Sequence, residues 1–399
     1  MLSAMETVEL NEEQRMVRDA VREVCEDFDA EYWRERDENE EYPHEFVDTL
    51  ADHGWMGALI PEEYGGAGMG TAEAVVIMEE IAASGGGFSA AQAVHGGIYN
   101  SPTIVNHASE ELKEEVLPKV ATGEKSIQSM ALTEPNAGSD STSIETFAEK
   151  DGDEYVIDGQ KIWISRVDAT DYVLVIARTT PKSEVEKRTR GISMFLVDKE
   201  RALDSGGMEM RKIPKTVSGP VHSYELFFEG LRVHEDRLVG EEGEGFYQVL
   251  DGLNEERIVI AAECVGLGEA ALEAGIDYAN EREVFGRAIG KNQAIQHPLA
   301  EAYARVMAAK HVTYNAASKA GESRRELGAE ANMAKYLAAD AAFDAADAAV
   351  QTHGGFGVAR EYDVERYMRE ARLTRLVPIA QELVLNYLGE NVLGLPRSY

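Results

Sequence analysis

One ten-residue segment, residues 131–140, has the composition of a ligand-binding loop. It reads Ala-Leu-Thr-Glu-Pro-Asn-Ala-Gly-Ser-Asp, so an apolar start leads into a turn with hydroxyl side chains and exposed backbone N–H groups. Such groups can hydrogen-bond a planar heterocycle or a phosphate. Most loops rich in threonine, serine and glycine are only turns, so this segment indicates a binding site weakly when it is taken alone.

The loop opens a stretch of the chain that is rich in β-prone residues. Residues 155–164 contain two such runs around Asp158-Gly159, a pattern that predicts a hairpin. Three further runs of β-branched and aromatic residues follow, at 172–177, 192–197 and 224–233. Strands at this spacing predict a small sandwich or barrel.

Helical patterns flank the β-rich stretch on both sides. Residues 8 to about 125 place Leu10, Val17, Val21 and Val24 on one helical face. After the stretch, an apolar stripe at helical period predicts four long helices joined by short loops, at about 246–280, 294–320, 326–352 and 361–390. The sequence therefore predicts an α+β multidomain protein with an N-terminal α-helical domain (1–125), a middle β-barrel or sandwich domain (126–240) and a C-terminal four-helix bundle (241–399).

The charge of the chain excludes two classes of partner. It has 73 acidic and 39 basic side chains, a net charge of −34, which repels nucleic acid and anionic membranes. The apolar content of 44% is that of a globular protein rather than of a disordered acidic chain. A halophilic source explains the charge best, because molar salt screens the self-repulsion. An acidic mesophilic enzyme is the alternative.

Other features indicate a protein of the reducing cytoplasm. No run of about 18 apolar residues occurs, so we expect no membrane insertion. Residues 1–10 lack the basic and apolar regions of a signal peptide. Cys25 and Cys264 are far apart and outside any metal-ligand spacing, so we expect neither a disulfide framework nor a metal site.

Segments along nearly the whole chain resemble the acyl-CoA dehydrogenase family. The segment 131–140 is similar to one signature of that family, and the glycine-rich residues 61–68 are similar to its N-terminal loop. Lys-Ile-Trp-Ile-Ser at 161–165 resembles its Lys-x-Trp-Ile-Thr/Ser strand. Arg-Glu-Val-Phe-Gly at 282–286 and Gln-Thr-His-Gly-Gly-Phe-Gly at 351–357 resemble two further signatures. The order helices, strands, helices is also the family's architecture.

The resemblance implies an FAD site. Leu132 and Thr133 would contact the pyrimidine edge of the flavin, Trp163 would pack against the isoalloxazine ring, and the Ser165 hydroxyl would lie near N5. Ser139, in the same loop as Gly138, would lie where the flavin phosphate or CoA is held. Further residues would reach the FAD of a neighbouring subunit: Arg282, Phe285, Gln293, Gln351, Gly354 and Gly355. A guanidinium suits a pyrophosphate, and paired glycines let backbone N–H groups approach an anion. No Gly-x-Gly-x-x-Gly leads from a strand into a helix, so a nicotinamide site is not indicated.

The catalytic base departs from the family's usual pattern. Many members carry a glutamate near the C-terminus, at a position that Pro378 occupies here, and Glu382 lies one helical turn too late. Enzymes resembling isovaleryl-CoA and long-chain acyl-CoA dehydrogenases carry the base on the first bundle helix, in a Glu-Arg pair before an apolar run. Glu256-Arg257 matches that pair, so the resemblance implies Glu256 as base, with Arg257 steering the carboxylate or contacting CoA. A solvated surface acid is the alternative for Glu256, and Glu255 would point about 100° away.

The resemblance implies a reaction and its partners. An acyl-CoA would lose the α proton and the β hydride to give a trans-2-enoyl-CoA, and electrons would leave through an electron-transferring flavoprotein. The protein would be a homo-oligomer, a tetramer in the family's pattern, and fatty-acid β-oxidation is the expected setting. The alternatives are an enoyl-CoA reductase or an enzyme of an unusual CoA thioester on the same fold, and a non-catalytic flavin-binding protein.

Overall fold

The structure is a computed structural model that describes residues 8–321 and 324–397, apart from the side chains of 324–326. The expectation of no signal peptide rests on residues 1–10, of which residues 1–7 lie outside the described ranges. The predicted α+β class is confirmed: helices come first, a sheet follows, and long helices complete the chain. None of the helices in the described ranges is long and apolar enough to span a bilayer.

The first unit consists of six helices around a shared apolar core. Asn11 caps the first helix by accepting a hydrogen bond from the Gln14 backbone N–H. Val17, Val21 and Val24 are buried, as their spacing predicts. The helices are α1 Glu12–Cys25, α2 Ala30–Asn39, α3 His44–Asp52, α4 Thr71–Ile81, α5 Gly87–His107 and α6 Glu110–Ala121.

A π-helical turn, Ala82–Gly86, joins α4 directly to α5. Gly87 has a φ of +64°, and a Cβ atom there would lie 2.5 Å from Oε2 of Glu370. Glycine is therefore required, because this carboxylate caps α5 by accepting from the backbone N–H of Phe88 at 2.8 Å. The junction thereby fixes the direction of α5, which forms one wall of the site.

The middle unit is an eight-stranded sheet in the order β6-β7-β3-β2-β4-β5-β8, with β1 beside β4. A short helix, α7 Lys199–Asp204, follows β5. The strands are β1 Ser129–Ala131, β2 Phe147–Asp151, β3 Glu154–Ser165, β4 Tyr172–Arg178, β5 Ile192–Asp198, β6 Met208–Lys212, β7 Ser223–His234 and β8 Leu238–Val239.

The hairpin predicted at Asp158-Gly159 is wrong. Both residues lie inside the continuous strand β3, at a bulge in its pairing with β7. Gly159 fits this position because it has no Cβ atom; a Cβ there would lie 2.7 Å from Cα of Thr146. The actual hairpin turns at Gly152-Asp153, between the paired residues Asp151 and Glu154. Long strands on both sides override the local turn signal at Asp158.

The last unit is a bundle built on one 37-residue helix. Alanines of α10 pack against it at close range, and many are fully buried. The bundle helices are α8 Gly245–Glu281, α9 Gln293–Ala317, α10 Arg324–His353, α11 Val364–Thr374 and α12 Gln381–Tyr387, and a small ribbon of β9 Glu283–Val284 and β10 Arg287–Ala288 lies between α8 and α9.

The fourth predicted helix, 361–390, is not continuous. It divides into α11 and α12 with a non-helical segment at 375–380. Pro378 explains the break, because proline lacks the N–H group that a helix needs and its ring clashes with the preceding turn. Lys335 donates from Nζ to the carbonyl of Ile379 at 2.8 Å and fixes this segment against α10.

Candidate active site

A cavity of about 770 Å³ lies where α5, the sheet, α8 and the 375–380 segment meet. Its wall includes Leu132, Thr133, Trp163 and Ser165 from the predicted flavin segments. Glu256 and Pro378 line the same cavity. This size suits a ligand site, for which volumes of roughly 300–1,000 Å³ are usual. Residues that are far apart in the sequence thus meet in one place.

A buried ion pair fixes the loop that follows β1. The ammonium of Lys161 on β3 lies 2.8 Å from Glu134 Oε1 and donates to the Leu132 carbonyl at 3.0 Å. Burial lowers the pKa of Lys161 to about 8 against the opposing effect of the Glu134 carboxylate. The two backbone N–H groups of Glu145 and Thr146 complete the partners of Glu134. Lys161, the lysine of the Lys-x-Trp segment, therefore fixes the position of the loop that contains Leu132 and Glu134.

Trp163 faces the cavity because β3 bulges at this point. Its pairing with β7 shifts between Lys161 and Ile164, and Trp163 has a φ of +62°. The indole remains 55% exposed. Thr133 and Ser165 supply hydroxyls on the same wall. An exposed aromatic face beside hydroxyls suits a planar heterocycle, which can stack and accept hydrogen bonds.

Glu256 projects from α8 into the cavity, where its side chain is 14% exposed. Glu255 lines a different pocket, and burial raises the pKa of its carboxyl. Arg257 donates to Asn254 of the same helix at 2.9 Å and is not among the residues that line the cavity. Glu382 is exposed on α12 and does not line the cavity either. Of these candidates, Glu256 is the carboxylate that the fold directs into the cavity.

His95 is a site residue that sequence reasoning left out. Its Nδ1 lies 2.7 Å from Oε1 of Glu263, and its Nε2 lies 3.9 Å from Oε1 of Glu256. Burial alone would lower the pKa of His95, but the neighbouring Glu263 and Glu256 carboxylates outweigh burial and raise it to about 9. Gln92 also donates to Glu263, which is fully buried. A lone histidine after an apolar run gives no sequence signal of this network.

A second pocket, of about 580 Å³, gathers part of the other predicted set. Arg282, Gly354 and Gly355 line it together with the stacked rings of Tyr278 and His353, whose centroids are 4.1 Å apart. The remaining predicted cofactor residues are exposed and line neither this pocket nor the large cavity: Gly138, Ser139, Phe285, Gln293 and Gln351. Phe285 is fully exposed, with a φ of +54°.

Within the described ranges, no group of three or more histidine, cysteine, aspartate or glutamate side chains is arranged to hold a metal ion. Cys25 and Cys264 are both buried free thiols, and burial raises the pKa of each to about 12. Neither thiol lines the large cavity.

Family models match the chain in three consecutive parts. They describe the acyl-CoA dehydrogenase N-terminal domain at residues 11–124, the middle domain at 129–231 and the C-terminal domain at 243–393. The chain belongs to the acyl-CoA dehydrogenase family. It is thus an oxidoreductase of the acyl-CoA dehydrogenase type with FAD as cofactor, and the wall around Trp163 suits a flavin.

Individual relatives share nearly the full length of the chain. An acyl-CoA dehydrogenase of Mycobacterium tuberculosis, FadE12, is 37% identical over 390 residues, or 98% of each chain. A 3-(aryl)acrylate reductase of Clostridium sporogenes is 33% identical and covers 96% of this chain and 99% of its own. The structure of butyryl-CoA dehydrogenase from Megasphaera elsdenii superposes with a TM-score of 0.90 at 30% identity, covering 97% of this chain and 99% of that one.

Proposed function

We propose that the protein converts an acyl-CoA to the trans-2-enoyl-CoA with Glu256 as the base that takes the α proton. One observation supports this most strongly: the Glu256 carboxylate lines the same cavity as Thr133, Trp163 and Ser165. A base must be close to the reacting carbon, and the flavin-facing wall defines where that carbon would be. Bound FAD supplies the acceptor for the β hydride.

Pro378 occupies the position at which the family resemblance implies a glutamate in many members. Pro378 lines the cavity there, and the backbone around it is fixed by Lys335. His95 approaches Glu256 from α5, with its Nε2 3.9 Å from Oε1 of Glu256. We propose that Glu256 accepts the α proton, while Leu132, Thr133, Trp163 and Ser165 hold the flavin against the substrate.

A second subunit would complete the cofactor site. Arg282, Gly354 and Gly355 line a pocket of their own, and Phe285 projects fully into solvent. We propose that these residues, with Gln293 and Gln351, contact the pyrophosphate or adenosine part of FAD bound to a neighbour in a homotetramer. Gly138 and Ser139 would contact the flavin phosphate or CoA, and Arg257 the CoA. An electron-transferring flavoprotein would take the electrons.

The reverse reaction is the second candidate function. A relative with 33% identity is named as a 3-(aryl)acrylate reductase, which fits an enzyme that adds hydrogen across a double bond. Glu256 would then give a proton to the α carbon rather than remove one. The proposed dehydrogenase and this reductase therefore share one site and differ in the direction of the reaction.

Anaerobic titration with saturated acyl-CoAs in molar salt, followed in the flavin spectrum, tests the proposal. We expect bleaching by the wild type and a rate lower by roughly 10²–10⁴-fold in Glu256→Gln, the usual contribution of a general base. Glu255→Gln is the matched control, because it removes the neighbouring carboxylate from another pocket. Bleaching that survives in Glu256→Gln would contradict the assignment of the base. The reductase would be favoured if no acyl-CoA bleaches the flavin and if, after chemical reduction, only enoyl-CoAs reoxidise it.

The setting of the enzyme is also a proposal. We propose a halophilic, cytoplasmic enzyme of fatty-acid β-oxidation. The net charge of −34 supports the halophilic part of this proposal, and the family supports the reaction type. We propose domain divisions at 1–125, 126–240 and 241–399, which fall between α6 and β1 and between β8 and α8.

A further inference from the structure

Two cations line the large cavity without an ion-pair partner. Arg166 and Lys215 both belong to its wall, and neither lies within ion-pair distance of a carboxylate in the described part of the chain. This is unexpected in a chain with 73 acidic side chains. Burying a charge is costly unless a counter-charge or a full set of hydrogen bonds compensates it. Lys215 has such a set of hydrogen bonds and Arg166 does not, so a bound anion would supply the counter-charge that Arg166 lacks at ion-pair distance.

Arg166 has one arm of its guanidinium without a partner. Nε donates to the Gln128 carbonyl at 3.0 Å, and Nη1 donates to the carbonyl and side-chain oxygens of Gln92 at 2.8 and 3.3 Å. Nη2 makes no hydrogen bond to any residue in the described ranges, although the residue is only 7% exposed. Two arms thus fix the guanidinium, and the third remains available to a ligand in the cavity.

Arg178 shows how a purely structural buried arginine looks in this protein. It is 2% exposed and also has no ion pair with any described residue, but all three of its nitrogen atoms donate to backbone carbonyls. It does not line the large cavity. The unused donors of Arg166 are therefore not a general property of buried arginines in this sheet.

Lys215 adds positive charge to the cavity, but it has no N–H group left to donate to a ligand. Its Nζ donates to the carbonyls of Val217, Ser218 and Val221 at 2.9, 2.8 and 2.6 Å, which uses all three hydrogens. Burial lowers its pKa to about 8, so the amine remains mostly protonated near neutral pH. Its charge reaches the cavity, while its geometry holds the 214–221 loop in place.

The charged groups around Arg166 leave an excess of positive charge. Protonated His95 lies between the Glu263 and Glu256 carboxylates, which also interact with the Arg166 guanidinium at longer range. Three cations, His95, Arg166 and Lys215, therefore face two carboxylates. Much of the remaining lining is apolar, including Met130, Ile260 and Leu373. A ligand that matches this wall has an alkyl part ending in an anion, and a carboxylate matches the donors of a guanidinium.

We propose that the substrate is a CoA thioester of a dicarboxylic acid, whose free carboxylate binds Nη2 of Arg166 in the field of Lys215. The inference rests on the proposed function and names its substrate class. The chemistry is unchanged: the α proton passes to Glu256, the β hydride passes to FAD, and a double bond forms between the two carbons. The free carboxylate takes no part in the electron balance.

Matched pairs of thioesters test the proposal: glutaryl-CoA against pentanoyl-CoA, and adipyl-CoA against hexanoyl-CoA. Rates of flavin bleaching are measured anaerobically with the FAD-loaded protein in molar salt. We expect a preference of about tenfold or more for the carboxylate-bearing member of at least one pair, the effect of one charge-assisted hydrogen bond. Arg166→Gln should reduce the preference to near one, Arg166→Lys should restore part of it, and Arg178→Gln should leave it as in the wild type.

Binding separates failure of this proposal from failure of the reaction. Dissociation constants of the same thioesters for the Glu256→Gln protein, from the shift of the flavin spectrum, report the preference without catalysis. A preference in binding supports the carboxylate site even if no thioester bleaches the flavin. Equal binding and equal rates within each pair would overturn it while leaving the dehydrogenase intact. A loss in Arg166→Gln that is equal for both members of a pair would also overturn it, because the charge would then serve the flavin or the fold.

Discussion

The pair of His95 and Glu263 makes a specific prediction for His95→Gln. Glutamine can still hydrogen-bond Glu263, but it cannot carry the positive charge that faces this fully buried carboxylate. In the wild type, the pKa of His95 rises from 6.5 to about 9 on folding. A group with a raised folded-state pKa stabilises the protein fully below its unfolded pKa, and this contribution is lost as the pH rises through the folded value.

The size of the effect follows from that rise in pKa. One pKa unit corresponds to 1.36 kcal/mol, so the charged form of His95 contributes about 3 kcal/mol at pH 6.5 that is absent above about pH 9. A chain of 399 residues has an unfolding entropy of about 0.8 kcal/mol per kelvin, if each residue contributes about 2.1 cal/mol per kelvin. The difference in unfolding midpoint between the wild type and His95→Gln should therefore be about 4 °C larger at pH 6.5 than at about pH 10.

Thermal unfolding of both proteins, measured side by side at each pH in molar salt, provides the assay. Subtracting the two curves removes the contributions of Lys161, Lys215 and other groups common to both. Glu263→Gln removes the main cause of the raised pKa and should flatten the pH dependence in the same way. His53→Gln serves as the matched control, because His53 is exposed and its ring hydrogen-bonds the backbone carbonyl of Thr49 rather than a carboxylate. A gap between the wild type and His95→Gln that is constant with pH would refute the reasoning.

The remaining predictions concern the loop that follows β1, which Lys161 and Glu134 fix, and the surface charge. Lys161→Met leaves the Glu134 carboxylate buried without its counter-charge, which should lower the free energy of unfolding by about 3–5 kcal/mol and weaken FAD binding. The double variant Lys161→Met/Glu134→Gln should recover much of this stability. Strictly additive losses in thermal unfolding would contradict the pairing. Raising KCl from about 0.1 M to about 2 M should increase the unfolding midpoint, because the Debye length falls from about 10 Å to below 3 Å and screens the net charge of −34. A midpoint that is independent of salt would argue for an acidic enzyme without halophilic adaptation.

Local signals predicted the site unevenly. The start of the segment 131–140 does meet the 161–165 strand at the large cavity: the Ile162 backbone N–H donates to the Thr133 carbonyl at 2.9 Å, and Lys161 donates to the Leu132 carbonyl at 3.0 Å. Asp158-Gly159 misled the hairpin prediction, since a turn signal in a strand is overridden when both flanks pair with β7. The helix predicted at 361–390 ignored Pro378, whose effect on helices is visible in the sequence itself.

The residues that sequence reasoning missed share one property. His95 and Arg166 acquire their roles from partners on distant elements: Glu263 on α8 for the first, and Gln92 on α5 and Gln128 before β1 for the second. No spacing within the chain relates such residues. Arg166 also follows Ser165, the last residue of β3, and adopts a φ of +63°, a left-handed conformation that few non-glycine residues take and that the local sequence does not signal.

The sequence by itself determined the family, the order of helical and β units and two segments that line the large cavity, because these depend on local patterns and motifs. Only the tertiary structure decided which acid reaches the cavity. Glu255 and Glu256 are adjacent in sequence, and the rotation of α8 against α5 directs one into the cavity and the other into a separate pocket. Packing also brings His95, Glu263 and Arg166 together, since burial and charge pairing depend on contacts between elements that are far apart along the chain.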